Sequence, residues 1–141
     1  MHKAYLCTLF VAAVGAVWYV VHNDRQVRQR KRTRAGERLA LELLQHIKRD
    51  QEAVRKELNS VESIRDTKKR AYTLAQCNEL LLRLLERLVA IRPREAILQN
   101  DDKATAFDEE RVQHIKKRKR QIIQSIQKDF DRLDQCKQVL P

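Results

Sequence analysis

The chain has 141 residues, enough for one domain of ordinary size with little left over. Apolar residues make up 43% and charged residues 35%, with a formal net charge of +11, which points toward acidic partners or anionic surfaces. Two Gly, two Pro and no period-two alternation exclude a sheet protein, while the Leu, Arg, Lys, Gln and Glu content is that of long helices.

The first element is the uncharged run YLCTLFVAAVGAVWYVV from Tyr5 to Val21. As a helix it would be about 26 Å long, enough for a thin bilayer. Tyr5 at one end and Trp18 and Tyr19 at the other suit the two interfaces. A cleaved signal peptide is disfavoured because Lys3 alone precedes the run and because the run exceeds an ordinary signal core. Residues 1–22 are therefore expected to be an uncleaved, single-pass anchor.

Residues 23–34 form a basic stretch that includes Arg25, Arg28, Arg30, Lys31, Arg32 and Arg34. The positive-inside rule then sets the C-terminal part in the cytosol. Arg28, Arg30, Lys31, Arg32 and Arg34 are candidates for contact with anionic lipid headgroups or with ribosomal RNA. No aromatic residues are interleaved, which argues against sequence-specific RNA reading. A basic leucine zipper is also disfavoured: Leu39, Leu43 and Leu44 do not continue as heptads, and His46 and Arg49 interrupt them.

Residues 35–141 read as three amphipathic helices. Leu39, Leu43, Ile47, Val54, Leu58 and Val61 make the first stripe. Ile64, Ala71, Leu74, Cys77, Leu81, Leu84, Leu88 and Ile91 make the second, with Ser63 or Asp66 as its cap and Pro93 beyond its end. The polar segment Asn100 to Lys103 continues that break. Val112, Ile115, Ile122, Ile126, Phe130, Leu133 and Cys136 make the third stripe, with Asp108 to Glu110 at its negative start. The expected fold is all-α: a transmembrane helix, then an antiparallel up-down-up bundle that is monomeric without its anchor.

Catalytic and metal signatures are absent. There is no Gly-rich phosphate loop, no nucleophile elbow and no zinc spacing, and His2, His22, His46 and His114 are scattered. His114 is expected to face solvent. Cys7, Cys77 and Cys136 form no disulfide framework, in keeping with reduced, buried thiols. A binding protein, with no enzyme activity and no cofactor, is expected.

The runs CNELLLRLLERL, Cys77 to Leu88, and KKRKRQIIQSIQ, Lys116 to Gln127, together resemble the BAG domain. Glu79 matches that family's glutamate in the second helix. Arg118-Lys119-Arg120 matches its basic triplet in inverted order, Lys117-Arg118-Lys119 gives the family's order with the register moved by one residue, and Ile126-Gln127 and Asp134 match the remainder. Val89 stands where the family has aspartate, and Lys119 where it has the central arginine. The anchor before a short domain is similar to the endoplasmic-reticulum-anchored members.

The resemblance implies a co-chaperone that binds the nucleotide-binding domain of a heat-shock protein 70 chaperone and promotes ADP release, on an endoplasmic reticulum or nuclear envelope membrane. Glu79, Arg83, Glu86, Lys116, Arg118, Lys119, Arg120 and Gln127 are its candidate chaperone contacts. A membrane-anchored coiled-coil tether or assembly subunit, or a ribosome-contacting membrane protein, are the alternatives.

Overall fold

The structure, a computed structural model, describes the backbone of residues 2–98 and 103–138, and side chains from residue 13 onward. Four helices are described: α1 (His2–Ser60), α2 (Thr67–Ala90), α3 (Pro93–Ile97) and α4 (Ala106–Gln138), with a 3₁₀ turn at Val61–Ser63 after α1. The all-α expectation holds, but the division into a separate anchor and three bundle helices is corrected. Apolar run, basic stretch and first bundle helix are one continuous α1 of 59 residues, because no Gly-Pro break or cap separates them. A short α3 is also added between the second and third long helices.

Among the described residues no helix is long and apolar enough to cross a membrane. The run from Tyr5 to Val21 straddles the limit of description, since Tyr5 to Ala12, Cys7 included, lie outside the described side chains. Of the expected Asn100 to Lys103 break, only Lys103 is among the described residues.

The boundaries have local causes. Asp66 caps α2, its Oδ1 accepting from the backbone N–H groups of Lys68 at 3.0 Å and Lys69 at 3.5 Å. Arg92 precedes Pro93 and is extended, with φ −101° and ψ 104°, so α2 stops before it and Pro93 starts α3. Thr105 and Asp108 cap the start of α4 reciprocally. Thr105 N–H donates to Asp108 Oδ2 at 2.9 Å, and Asp108 N–H donates to Thr105 Oγ1 at 3.3 Å.

The core is a seam of strict three-four spacing. On α1 and its 3₁₀ turn the inward positions are Thr33, Glu37, Ala40, Leu44, Ile47, Gln51, Val54, Leu58 and Val61, all buried. On α4 they are Asp108, Val112, Ile115, Lys119, Ile122, Ile126, Asp129, Leu133 and Cys136, of which only Lys119 is half-buried. Thr33 meets Asp108, 75 residues on, and Arg55 meets Asp129, 74 residues on, so α1 and α4 run parallel. Leu74, Cys77, Leu81, Leu84 and Leu88 of α2 complete the core, antiparallel to both. A mean spacing of 3.5 residues keeps each seam facing its neighbours, as in coiled coils.

The expected first stripe starts half a step out of phase and joins the seam at Ile47, with Val54, Leu58 and Val61 buried as expected. Leu39 and Leu43 are 62% and 47% exposed, and Ala40 and Leu44 take their places. Successive steps of four, 39 to 43 to 47, rotate a stripe by about 40° each time, whereas 40, 44, 47 stays in phase with the rest. A heptad series therefore does exist in α1, and it is satisfied within the chain. Ala71 is likewise exposed because the alternation gives its place to the half-buried Arg70, and Phe130 is half-buried beside Asp129.

Gly36 explains how α3 reaches the bundle. A Cβ at Gly36 would meet the Ala96 carbonyl oxygen, so close does that backbone pass over α1, while Ile97 is buried beside it. Gly within a helix is about 1 kcal/mol worse than Ala, so Gly36→Ala should stabilise if propensity alone decided. The expected result is the opposite, a loss of about 2 kcal/mol as α3 is pushed off, because neither backbone can give way cheaply. Urea unfolding of residues 28–141 checks the sign.

Candidate partner-binding face

The expected contact residues lie on several sides of the bundle. On α2, Glu79, Arg83 and Glu86 are exposed on the outer face, and Glu79 pairs with Arg83 one turn on. Such an exposed pair contributes under about 1 kcal/mol, so both groups can exchange partners readily.

On α4 the basic run is divided, since consecutive helical residues point about 100° apart. Arg118 lies on the edge facing α1, beside a groove of about 690 Å³ lined also by Leu41, Lys48, Glu52 and His114. Lys119 points inward, and its Nζ donates to the Ile91 carbonyl at 2.8 Å, just past the end of α2. Burial there lowers the pKa of its ammonium. Lys119 thus occupies a seam position opposite a helix C-terminus, unlike its neighbours Arg118 and Arg120. Arg120 is exposed on the other edge, together with Lys116 and Gln127.

That edge faces α2. Arg55 of α1 donates to Ser125 at 2.8 Å, which fixes the opposite edge of α4 as the α1 side. Arg87 of α2 donates to Asp50 of α1 at 2.6 Å, so the free edge of α2 carries Leu82 and Val89. The contact of Lys119 with Ile91 sets Val89 level with Arg120, and Leu82 with Gln127, to within a turn. Val89 is 69% exposed. Two edges thus frame one shallow face, apolar on α2 and polar to basic on α4, with Glu79 and Glu86 along its outer border, one turn from Leu82 and Val89.

The basic stretch of α1 is exposed but not uniform. Arg28 pairs with Asp24 at 2.8 Å. Arg30 and Arg34 instead approach the ring of Phe107 from α4, with guanidinium carbons 5.8 and 5.9 Å from its centroid, and Arg111 joins them at 4.9 Å. Lys31 and Arg32 are exposed and approach no ring among the described residues.

Sequence reasoning missed the polar seam. Thr33 Oγ1 and Gln29 Nε2 donate to the Asp108 carboxylate at 2.7 and 3.2 Å. Glu37 accepts from Arg111 Nη1 and pairs with His114 Nδ1 at 2.8 Å. Gln51 and Arg55 converge on Asp129, at 2.6 Å and 2.8 Å. His114 is exposed, as expected, yet tethered to a buried carboxylate. The bundle's contacts begin at Gln29, so the basic stretch and the bundle share residues.

Cys77 and Cys136 are buried free thiols, and burial, with Glu57 nearby, pushes the Cys77 thiol up, away from the reactive thiolate. No group of His, Cys, Asp and Glu among the described residues could hold a metal ion. The chain matches no family model, no curated protein and no solved structure.

Proposed function

We propose that the chain is a membrane-anchored co-chaperone whose α2–α4 face binds the nucleotide-binding domain of a heat-shock protein 70 chaperone and promotes ADP release. The observation that carries the reading is the pairing of the resemblance with exposure. Glu79, Val89, Arg120 and Gln127, all at positions matched to the BAG motif, are accessible along α2 and the adjoining edge of α4. The domain acts by binding the open form of the nucleotide site better than the closed form, and that difference in affinity sets how far release is accelerated. Arg120 takes the part of the central cation, since Lys119 is engaged with Ile91.

The anchor belongs to the same proposal. Val14, Val17, Trp18, Tyr19, Val20 and Val21 are exposed in succession on α1, an arrangement that suits lipid better than water. An endoplasmic reticulum or nuclear envelope membrane, with the bundle in the cytosol, is the location proposed.

The test is release of labelled ADP from the isolated nucleotide-binding domain, with residues 28–141 added. Truncating one member of a desolvated charge pair typically costs about 2–5 kcal/mol, so Glu79→Ala and Arg120→Ala should both cut affinity strongly with helicity unchanged. Val89→Asp restores the family's carboxylate at an exposed site and should tighten binding about tenfold for each ~1.4 kcal/mol recovered. Unaltered binding in Glu79→Ala, with the fold intact, removes that residue and the register resting on it.

A further inference from the structure

We propose that Arg30, Arg34 and Arg111, gathered about Phe107, form a binding site for a phosphomonoester lipid headgroup at the membrane-facing end of the bundle. The proposal rests on the anchoring reading above and gives the basic stretch a defined ligand.

Three guanidiniums share one aromatic ring, although like charges so gathered repel. Their counter-charge is incomplete. Glu37 takes up one Nη of Arg111, at 3.4 Å. Asp108, next to Phe107, is buried and engaged by Gln29, Thr33 and Thr105. Among the described residues no carboxylate lies within ion-pair distance of Arg30 or Arg34, in contrast to Arg28 with Asp24. Arg30 and Arg34 are therefore left without a direct ion-pair partner, although the ionised Asp108, held by neutral donors only, brings the net excess of the cluster to about one positive charge. A phosphomonoester carries about −1.5 to −2 and three acceptor oxygens, which can engage both free guanidiniums and suit their fork geometry.

The direction of the helices supplies the membrane. α1 continues without a break from the apolar run into the cluster. Arg30 is nine residues beyond Val21, about 14 Å along the axis, next to a headgroup layer of about 5–8 Å. Helical side chains lean toward the N-terminus, so Arg30 and Arg34 lean back toward the bilayer. α4 runs parallel to α1, so Arg111 leans the same way. Lys31 and Arg32 carry the same charge and are exposed, but among the described residues no aromatic ring lies under them.

The experiment uses the full chain in neutral phosphatidylcholine nanodiscs, titrated with short-chain phosphatidic acid and read by calorimetry. Phosphatidic acid should bind more tightly than short-chain phosphatidylserine, a phosphodiester. The pair Arg30→Gln and Arg34→Gln should weaken it by about tenfold or more, at about fivefold per charge near a surface. Arg111→Gln should also weaken it, while the charge-matched pair Lys31→Gln and Arg32→Gln should change it less than about threefold.

Equal losses from the two pairs would overturn the site in favour of diffuse charge. Inorganic phosphate competing as well as the lipid would reduce it to a free-anion site. An RNA duplex that binds more tightly and loses affinity in the same variant would assign it to nucleic acid. Failure of the anchoring reading has a different signature: the chain would not float with phosphatidylcholine vesicles after an alkaline wash.

Discussion

Asp129→Ala is expected to destabilise the bundle by about 3 kcal/mol, the lower end for breaking a buried ion pair. Asp129 is buried at a seam position of α4 and accepts from Gln51 and Arg55 of α1. Its carboxylate is the main reason the Arg55 guanidinium binds its proton more tightly than usual, chiefly through their hydrogen bond. Two features moderate the loss. Gln51 keeps Ser125 at 2.9 Å, and Arg55 is partly exposed and can turn to water. Chemical denaturation of residues 28–141 reads the effect, and a change below about 1 kcal/mol would place this layer among the weak surface pairs.

The same layer should behave differently when both sides are made apolar. Gln51→Leu combined with Asp129→Leu is expected to be near neutral or stabilising, since the desolvation of the carboxylate disappears while Arg55, partly exposed, keeps Ser125 and turns to water. What it should lose is register. The seams of α1 and α4 repeat every seven residues, and sliding one past the other by a heptad keeps apolar residues facing apolar residues over much of their length. Gln51 with Asp129, and Thr33 with Asp108, penalise that slide by stranding buried polar groups. More than one set of amide resonances in the double variant would be the readout, against a single set in the parent chain.

These layers also explain what was legible in the sequence. The core of α2 is continuous in Leu74, Cys77, Leu81, Leu84 and Leu88, so periodicity finds it at once. The seams of α1 and α4 are interrupted by Thr33, Glu37, Gln51, Asp108, Lys119 and Asp129. A hydropathy pattern then drifts to neighbours such as Leu39 and Leu43, because the polar partners that license burial lie more than 70 residues away. The division of Arg118, Lys119 and Arg120 could have been read from Ile115, Ile122 and Ile126, whose spacing leaves position 119 inward. Exposure of Glu79, Arg83 and Glu86 follows from the same wheel. The ring of Phe107 could not be assigned to the basic stretch, since it arrives from another helix.

Asp108→Ala is the second large effect expected, about 3 kcal/mol at neutral pH: the Gln29 amide, the Thr33 hydroxyl and the Thr105 backbone N–H and hydroxyl all lose a charged acceptor, each such hydrogen bond contributing about 1.5–3 kcal/mol. The full sum is not reached because the Thr33 hydroxyl can give its single proton to the Gln29 carbonyl instead, at 3.0 Å, and the part-buried Gln29 amide can turn to water. Thr105 has no such reserve, and its backbone N–H loses the acceptor that closes the start of α4. Burial by itself would raise the Asp108 pKa. The Thr105 backbone N–H, the Thr33 and Thr105 hydroxyls and the Gln29 amide outweigh it, and the carboxyl is held below its usual range. A depressed pKa in the fold means that the unfolded chain takes up the proton first as pH falls. The contribution is therefore complete above the ordinary aspartate range, about pH 4, and drains away as pH drops through the lower value of the fold. Asp108→Asn keeps one acceptor oxygen and cannot titrate. It should be less destabilising than Asp108→Ala at neutral pH, and its urea midpoint should fall less steeply with acid than that of the parent. A parent and an asparagine variant with parallel pH profiles would mean that other carboxylates carry the acid sensitivity, and that Asp108 is held by packing alone.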